Sequence, residues 1–333
     1  MPKSQRETKS FKDRNVLITG GLGFIGSNLA YRLLSLGARV TIVDSLIPEY
    51  GGNLFNIKDI EDRLRINISD IRDSHSMPFL IKSQDYLFNL AGQTSHMDSM
   101  SDPLTDLEIN SKAPLSILET CRKHNPALKV VFASTRQIYG RPLYLPVDEK
   151  HPLQPVDING INKLSGEWYH LIYYQVYGIR SSILRLTNTF GPRMRIKDSR
   201  QTFLGTWIRL LLEHRPFEIW GGNQLRDFTY VDDCVDALLM AALDKRADGK
   251  VFNLGGDEVI DLKNLADELV RLDDSGHYQI HTFPEDRKKI DIGDYYSDYT
   301  RIRETLGWKP KISLREGLKM TVDYYREHLE AYL

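Results

Sequence analysis

The sequence predicts an α/β protein built on a doubly wound parallel sheet, and three observations carry that expectation. Short apolar runs alternate with stretches of helical apolar spacing through the first two-thirds of the chain. The first run stops at a glycine cluster and passes straight into a helical pattern, and the second ends in an acidic residue. Strands alternating with helices pair in parallel through crossovers, and such sheets are covered on both faces.

Taken in order, Val16-Leu17-Ile18-Thr19 reads as the first strand, and Ile25, Leu29, Leu33 and Leu34 give the spacing of the helix behind the glycines. Gly37 closes that helix, and Val40-Thr41-Ile42-Val43 forms a second strand ending at Asp44. Further strands are expected at Leu64–Ile68, Tyr86–Leu90, Val130–Ala133 and Ser182–Leu186, with helices near 104–124 and 160–177. Past Gly191-Pro192 the texture changes to a helical run (Thr202–Glu213), a short strand (Phe217–Trp220) and a polar turn, Gly221-Gly222-Asn223. The expected organisation is a polar tail over 1–14, a main domain over 15–191, and a smaller C-terminal α/β substrate lobe over 192–333. Segment 228–257 is a candidate to return to the main domain, because Val231–Leu243 reads as a helix.

Bulk properties narrow the function. A chain of 333 residues that is 41% hydrophobic has material for one large core with a smaller lobe attached. A net charge of −1 gives no general pull toward nucleic acid or membrane, so the expected partner is a small molecule held by local chemistry. The two cysteines, Cys121 and Cys234, lie outside any metal-ligand spacing; they read as buried small hydrophobes in a reducing compartment. The opening MPKSQRETKSFKDRN lacks an apolar stretch, and no later run is long enough to span a bilayer, so a cytoplasmic protein is expected.

Between the first strand and its helix stands Thr19-Gly20-Gly21-Leu22-Gly23-Phe24-Ile25-Gly26. Glycines at 20, 23 and 26 permit a tight turn and let backbone N–H groups and a helix N-terminus approach a pyrophosphate. Asp44 follows about 20 residues downstream, at the end of the second strand, as the dinucleotide fingerprint requires. Strand, glycines, helix, strand and acid together indicate a Rossmann-type fold. Asp44 accepts ribose hydroxyls and repels a 2′-phosphate, which favours NAD over NADP as cofactor.

The glycine spacing and the segments after it resemble the extended short-chain dehydrogenases, and among them the nucleotide-sugar epimerases and dehydratases. The resemblance rests on Thr19–Gly26; Asp70-Ile71, placed like the pair beside the adenine; Asn89-Leu90-Ala91-Gly92; Ala133-Ser134-Thr135 leading to Ile138-Tyr139-Gly140; and Lys163. It continues through Leu184–Asn188 with Phe190-Gly191-Pro192-Arg193, Arg226–Asp233 and Leu306–Pro310, nearly the whole chain. It implies NAD held by Gly20, Gly23, Phe24, Ile25, Gly26, Asp44, Asp70, Ile71, Leu90, Ala91, Gly92 and Lys163. A nucleotide-sugar then lies between the lobes with its C4 hydroxyl toward the nicotinamide. Asn188 resembles the substrate-contacting Asn of the family and Arg226 the arginine on the diphosphate, with Arg287 or Lys288 as a second contact and Phe203 lining the nucleotide pocket. The alternative for Arg226 is a surface charge paired with Asp227 or Asp232, and Phe203 reads equally as core. Helices near 104–124 and 160–177 resemble those of a family dimer interface, so a homodimer is expected.

One position departs from the pattern. The family's catalytic Tyr precedes its Lys by four residues, and here Asn159 stands at that place before Lys163. An amide has no proton-accepting state near neutral pH. Three readings stay open: a substitute base (Lys163, His96 or Tyr139), a specialised enzyme whose substrate needs less help, or a binding protein without turnover. Thr135 keeps the place of the hydroxyl that meets the C4 oxygen. The Asp-Glu pair that 4,6-dehydratases carry after it is replaced by Arg136-Gln137, which disfavours dehydration; Arg136 reads either as facing an acidic sugar or as a solvated turn residue. The resulting expectation is a C4 epimerase working through a transient 4-keto sugar. Alternatives are a non-catalytic NAD and nucleotide-sugar binder, or an oxidase, decarboxylase or dehydratase with a substitute base.

Overall fold

A computed structural model describes residues 11–273 and 276–333. Its strands are β1 (Asn15–Thr19), β2 (Arg39–Asp44), β3 (Arg65–Ile68), β4 (Tyr86–Asn89), β5 (Lys129–Thr135), β6 (Ser181–Leu186), β7 (Asn188–Phe190), β8 (Phe217–Trp220), β9 (Leu225–Tyr230), β10 (Lys250–Asn253), β11 (Val259–Asp261) and β12 (Tyr278–His281). Seven of them form one sheet in the order β10-β6-β5-β4-β1-β2-β3, and every neighbouring pair is parallel.

Alternation along each strand explains the two covered faces. Val16 and Ile18 of β1 join one apolar cluster with Leu29 and Leu33 of the helix Phe24–Ser35 and with Val235 and Leu238 of the helix Val231–Leu243. Leu17, between them, joins a second cluster with Ile117 and Leu118 of the helix Ala113–His124. Phe11, Ile302 and Trp308 pack into the first cluster as well.

The remaining strands make a three-stranded sheet, β11-β9-β7, and a two-stranded one, β12-β8. With the helices Phe203–Leu212, Leu262–Val270 and Leu314–His328 they enclose a separate core around Trp207, Phe217, Leu265 and Tyr325. Among the described residues no helix is long and apolar enough to cross a membrane. The main sheet reverses its strand order between β1 and β4. Such a switch opens a crevice beyond the carboxyl ends of the strands, and the cavity described next occupies that place.

Candidate active site

At the cofactor end, the turn after β1 is shaped by its glycines. Gly20 has φ +71°, and a Cβ there would sit 2.9 Å from the Ala91 backbone. A Cβ on Gly26 would be driven into the Gly20 carbonyl, so the first helical turn lies flush on the loop. Gly23 is the N-cap of the helix Phe24–Ser35; no side chain caps that end and no acidic residue stands in its first turn. Its N–H groups and dipole are therefore available to an anion. Asp44 accepts from Leu22 N at 3.0 Å and Leu46 N at 2.9 Å, which fixes the carboxylate against the loop. Burial pushes its pKa up while these two donors pull it down. Asp70, Ile71, Leu90, Ala91 and Gly92 line the same cavity, with Asp70 also paired to Arg72 at 2.7 Å.

Thr135, Asn159, Lys163 and His96 meet at the other end of that cavity. Thr135 closes β5, and its Oγ1 accepts from Gln137 N at 3.2 Å, which leaves the hydroxyl proton for a ligand oxygen. Lys163 is nearly sealed; Nζ donates to Ala133 O at 3.3 Å and lies 5.1 Å from the centre of the Phe132 ring. Burial brings its pKa down to about 8, with Asp106 and Glu167 opposing the shift. The His96 side chain is 39% exposed, and its Nδ1 lies 3.0 Å from Asp157 Oδ2, off the line of a straight hydrogen bond. Asp157 is fully buried, N-caps the helix Ile158–Tyr177 by accepting Gly160 N at 2.7 Å, and takes Gln137 Nε2 at 2.8 Å. Burial pushes the Asp157 carboxyl up, but His96, Gly160 and Gln137 hold it below its ordinary value.

The amide at 159 points inward. Its Nδ2 donates to Gln93 O at 2.8 Å and Asp106 Oδ2 at 3.1 Å, so a ligand can meet only its oxygen. Asp106 is fully buried and also accepts from Asn110 at 3.0 Å and Asn162 at 2.8 Å. The helix expected near 104–124 reaches this network through an expanded turn, a π-helical segment Glu108–Lys112 between Pro103–Leu107 and Ala113–His124. Pro114 accounts for it: without an N–H it cannot bond the Asn110 carbonyl in α-helical register, and its ring crowds that carbonyl.

Residues 16–255 match the family model of the NAD-dependent epimerase/dehydratases. The chain belongs to that family. It is 33% identical over 316 residues to a putative UDP-glucose 4-epimerase of Methanocaldococcus jannaschii, covering 94% of this chain and 99% of that one. It is 29% identical to a UDP-N-acetyl-α-D-glucosaminuronate decarboxylase of Bacillus cytotoxicus, over 94% and 98% of the two chains. The solved UDP-glucose 4-epimerase of Thermotoga maritima with UDP-glucose superposes with a TM-score of 0.86 at 31% identity, covering 95% of this chain and 99% of that chain. NAD is the cofactor of the family, and the uncapped helix, the flush glycine turn and the fixed Asp44 carboxylate fit it.

Some expected contacts lie elsewhere. Phe203 packs its ring 4.8 Å from Trp207 and 6.4 Å from Phe228, against the core around Trp207 and Phe217 rather than on the cavity wall. Arg226 also stands off that wall: its Nη1 donates to Leu225 O at 2.8 Å and to the Gly293 carbonyl, and Nη2 lies 3.8 Å from Asp291. Burial and the nearby Arg136 bring its pKa down to about 10. Lys288 pairs with Glu285 and borders a shallow, separate pocket. The side chain of Arg287 lies outside the described residues. Asn188 does line the cavity, donating to Asp227 O at 3.0 Å. Tyr139 fails as a base: its hydroxyl is buried, donates to Asn253 at 2.6 Å and accepts from Arg185, and burial pushes the phenol well up. The motif reading missed Asp106, Asn110, Asn162 and Asp157. The one available signal was their i,i+4 and i,i+3 spacing on helices next to Asn159.

Proposed function

We propose that the protein is an NAD-dependent C4 epimerase of a nucleotide-sugar in which His96, backed by Asp157, takes the place of the missing phenol. The carrying observation is the pairing of a cavity-lining imidazole with a buried carboxylate at 3.0 Å, in the same site as Thr135 and Lys163. A histidine oriented by a carboxylate is a competent proton acceptor near neutral pH. Thr135 donates to the C4 oxygen and positions it; His96 takes the hydroxyl proton as the carbonyl forms. Bound NAD supplies acceptance and return of hydride at C4. The 4-keto sugar turns over in the cavity, and His96 gives its proton back as hydride arrives on the opposite face, so no net redox change results. Lys163 supplies positive charge beside the site, and the Asn159 oxygen accepts from a sugar hydroxyl. The pair Arg136-Gln137 offers no carboxylic acid for dehydration, and Gln137 donates to Asp157 instead of facing the sugar as an acid would.

The likeness to nucleotide-sugar enzymes along the whole chain supports the substrate class. We assign the protein to the cytoplasm on its two buried free cysteines, and to a homodimer on the exposed apolar face considered below. The test is anaerobic incubation with UDP-, dTDP-, GDP- and CDP-sugars, following C4 stereochemistry by NMR, for wild type and His96→Gln. Inversion at C4 that falls about 100-fold or more in His96→Gln is expected. Binding without inversion across the panel would favour the non-catalytic reading that Asn159 raises.

A further inference from the structure

Arg136 comes directly after Thr135 at the carboxyl end of β5, and both side chains line the cavity. Among the described residues its guanidinium makes a single hydrogen bond, from Nη1 to Asn188 Oδ1 at 2.8 Å, and it rests 5.4 Å from the centre of the Tyr295 ring. Its Nε is buried without a partner. Among the described residues no carboxylate forms an ion pair with it. Asp227, whose charge acts on Arg136, is occupied by Thr187 at 2.5 Å and by the N–H groups of Ser297 and Gly256. Asp291 lies closer to Arg226, at 3.8 Å. Arg136 is half-buried on the cavity wall, and a sealed Nε beside donors that the protein leaves untaken favours an anion entering the cavity.

We propose that Arg136 receives a carboxylate carried by the sugar, so that the substrate is an acidic nucleotide-sugar rather than a neutral one. This rests on the nucleotide-sugar reading given above. Two features favour a sugar carboxylate over the diphosphate. Arg136, its partner Asn188 and Thr135 line one cavity, so the ligand part set beside Arg136 is the sugar whose hydroxyl Thr135 is assigned to meet. The guanidinium is also held as one planar fork between an amide and a ring face, the arrangement that matches a single carboxylate with paired bonds. Burial lowers the pKa of Arg136, consistent with a cation poised for a partner.

The experiment is calorimetric titration of the NAD-loaded protein with UDP, UDP-glucose and UDP-glucuronate, for wild type, Arg136→Met and Arg136→Lys. UDP-glucuronate is expected to bind wild type about 10- to 100-fold more tightly than UDP-glucose, as a charge-assisted pair would give. In Arg136→Met that preference collapses toward unity while UDP binds within about 3-fold of wild type; Arg136→Lys retains part of it. Equal affinity of wild type for the two sugars overturns the inference alone. Loss of UDP affinity in Arg136→Met in step with both sugars also overturns it, making the arginine a diphosphate contact. Failure of wild type to bind UDP or either sugar overturns the nucleotide-sugar reading and this inference with it.

Discussion

Asn159 spends both amide hydrogens on Gln93 and Asp106, and Asp106 in turn collects amides from Asn110 and Asn162. The Asp106 carboxylate is matched to three amide donors, so Asn159 is bound into the protein, while Gln93 Oε1 and Asn110 Oδ1 beside it are buried with no partner among the described residues. Asn159→Tyr is therefore expected to lower turnover rather than restore it, because the ring must swing out of the network and into the sugar space. The lost hydrogen bonds should also cost about 1–3 kcal/mol of stability, read as a shift in urea midpoint. A gain in epimerisation would identify a decayed site instead. His170, on the same helix, makes a second prediction. It stacks on Phe132 at 4.4 Å, bonds Gly166 O through Nδ1 at 2.7 Å, and burial brings its pKa down to about 4. Between pH 6.5 and 4 the unfolded chain takes up a proton that the folded one refuses, so stability falls as pH drops through that window. The contribution near pH 4.5, relative to pH 7, is about 2–3 kcal/mol. His170→Phe should shrink the acid-induced loss by about that amount in urea titrations at the two pH values; an unchanged loss would assign it to other groups.

Elements position these residues, and their legibility followed from how their signals arise. β1 and β2 are apolar runs bounded by glycine or charge, β8 alternates apolar and charged residues between Pro216 and Gly221, and the first helix follows a glycine turn, so pattern alone located them. The expanded turn Glu108–Lys112 was missed although its signal was present, because Pro114 stands in the middle of the helix expected near 104–124, where a missing N–H widens or breaks a turn. The glycine turn supplies the test at this scale. A Cβ on Gly26 meets the Gly20 carbonyl, which is backbone and cannot rotate away, whereas a Cβ on Gly23 would sit at 3.3 Å from the same oxygen. Gly26→Ala should destabilise the cofactor-free protein by about 1–3 kcal/mol and weaken NADH binding together, as overpacking does. Gly23→Ala should leave the cofactor-free protein close to wild type. Equal urea midpoints for wild type and Gly26→Ala would refute the flush packing.

At the scale of the whole molecule, the sheet and the cofactor end of the cavity were open to sequence reasoning because a dinucleotide fold repeats its backbone requirements in glycines and one acid. The sugar end was less so. Phe203 and Arg226 went to core and backbone partners that no motif encodes, and the Asp106 network looks in sequence like any polar helix surface. The apolar residues of the two helices expected at a dimer interface divide in the fold: Leu118 is buried, Leu104 and Trp168 face outward, and Tyr174 lies against Gly249 on another side of its helix. Ile161, Ile172 and Val176 continue that outward face at helical spacing, with Trp168 54% and Val176 61% exposed. Leu104 and Leu107 stand on the segment Pro103–Leu107, which packs beside the helix Ile158–Tyr177, so the two contribute to one face. A contiguous apolar face of this kind is rare on a monomer and marks an association surface. Because the stripe lies on two neighbouring helical segments, a twofold axis would bring four together and bury Trp168 near the centre, where aromatic anchors carry most of the binding energy. Light scattering at micromolar concentration should give a dimer for wild type and a monomer for Trp168→Glu, with the variant still binding NADH as wild type does, since Trp168 does not line the cavity. A wild-type monomer would remove the homodimer and leave the stripe needing another partner.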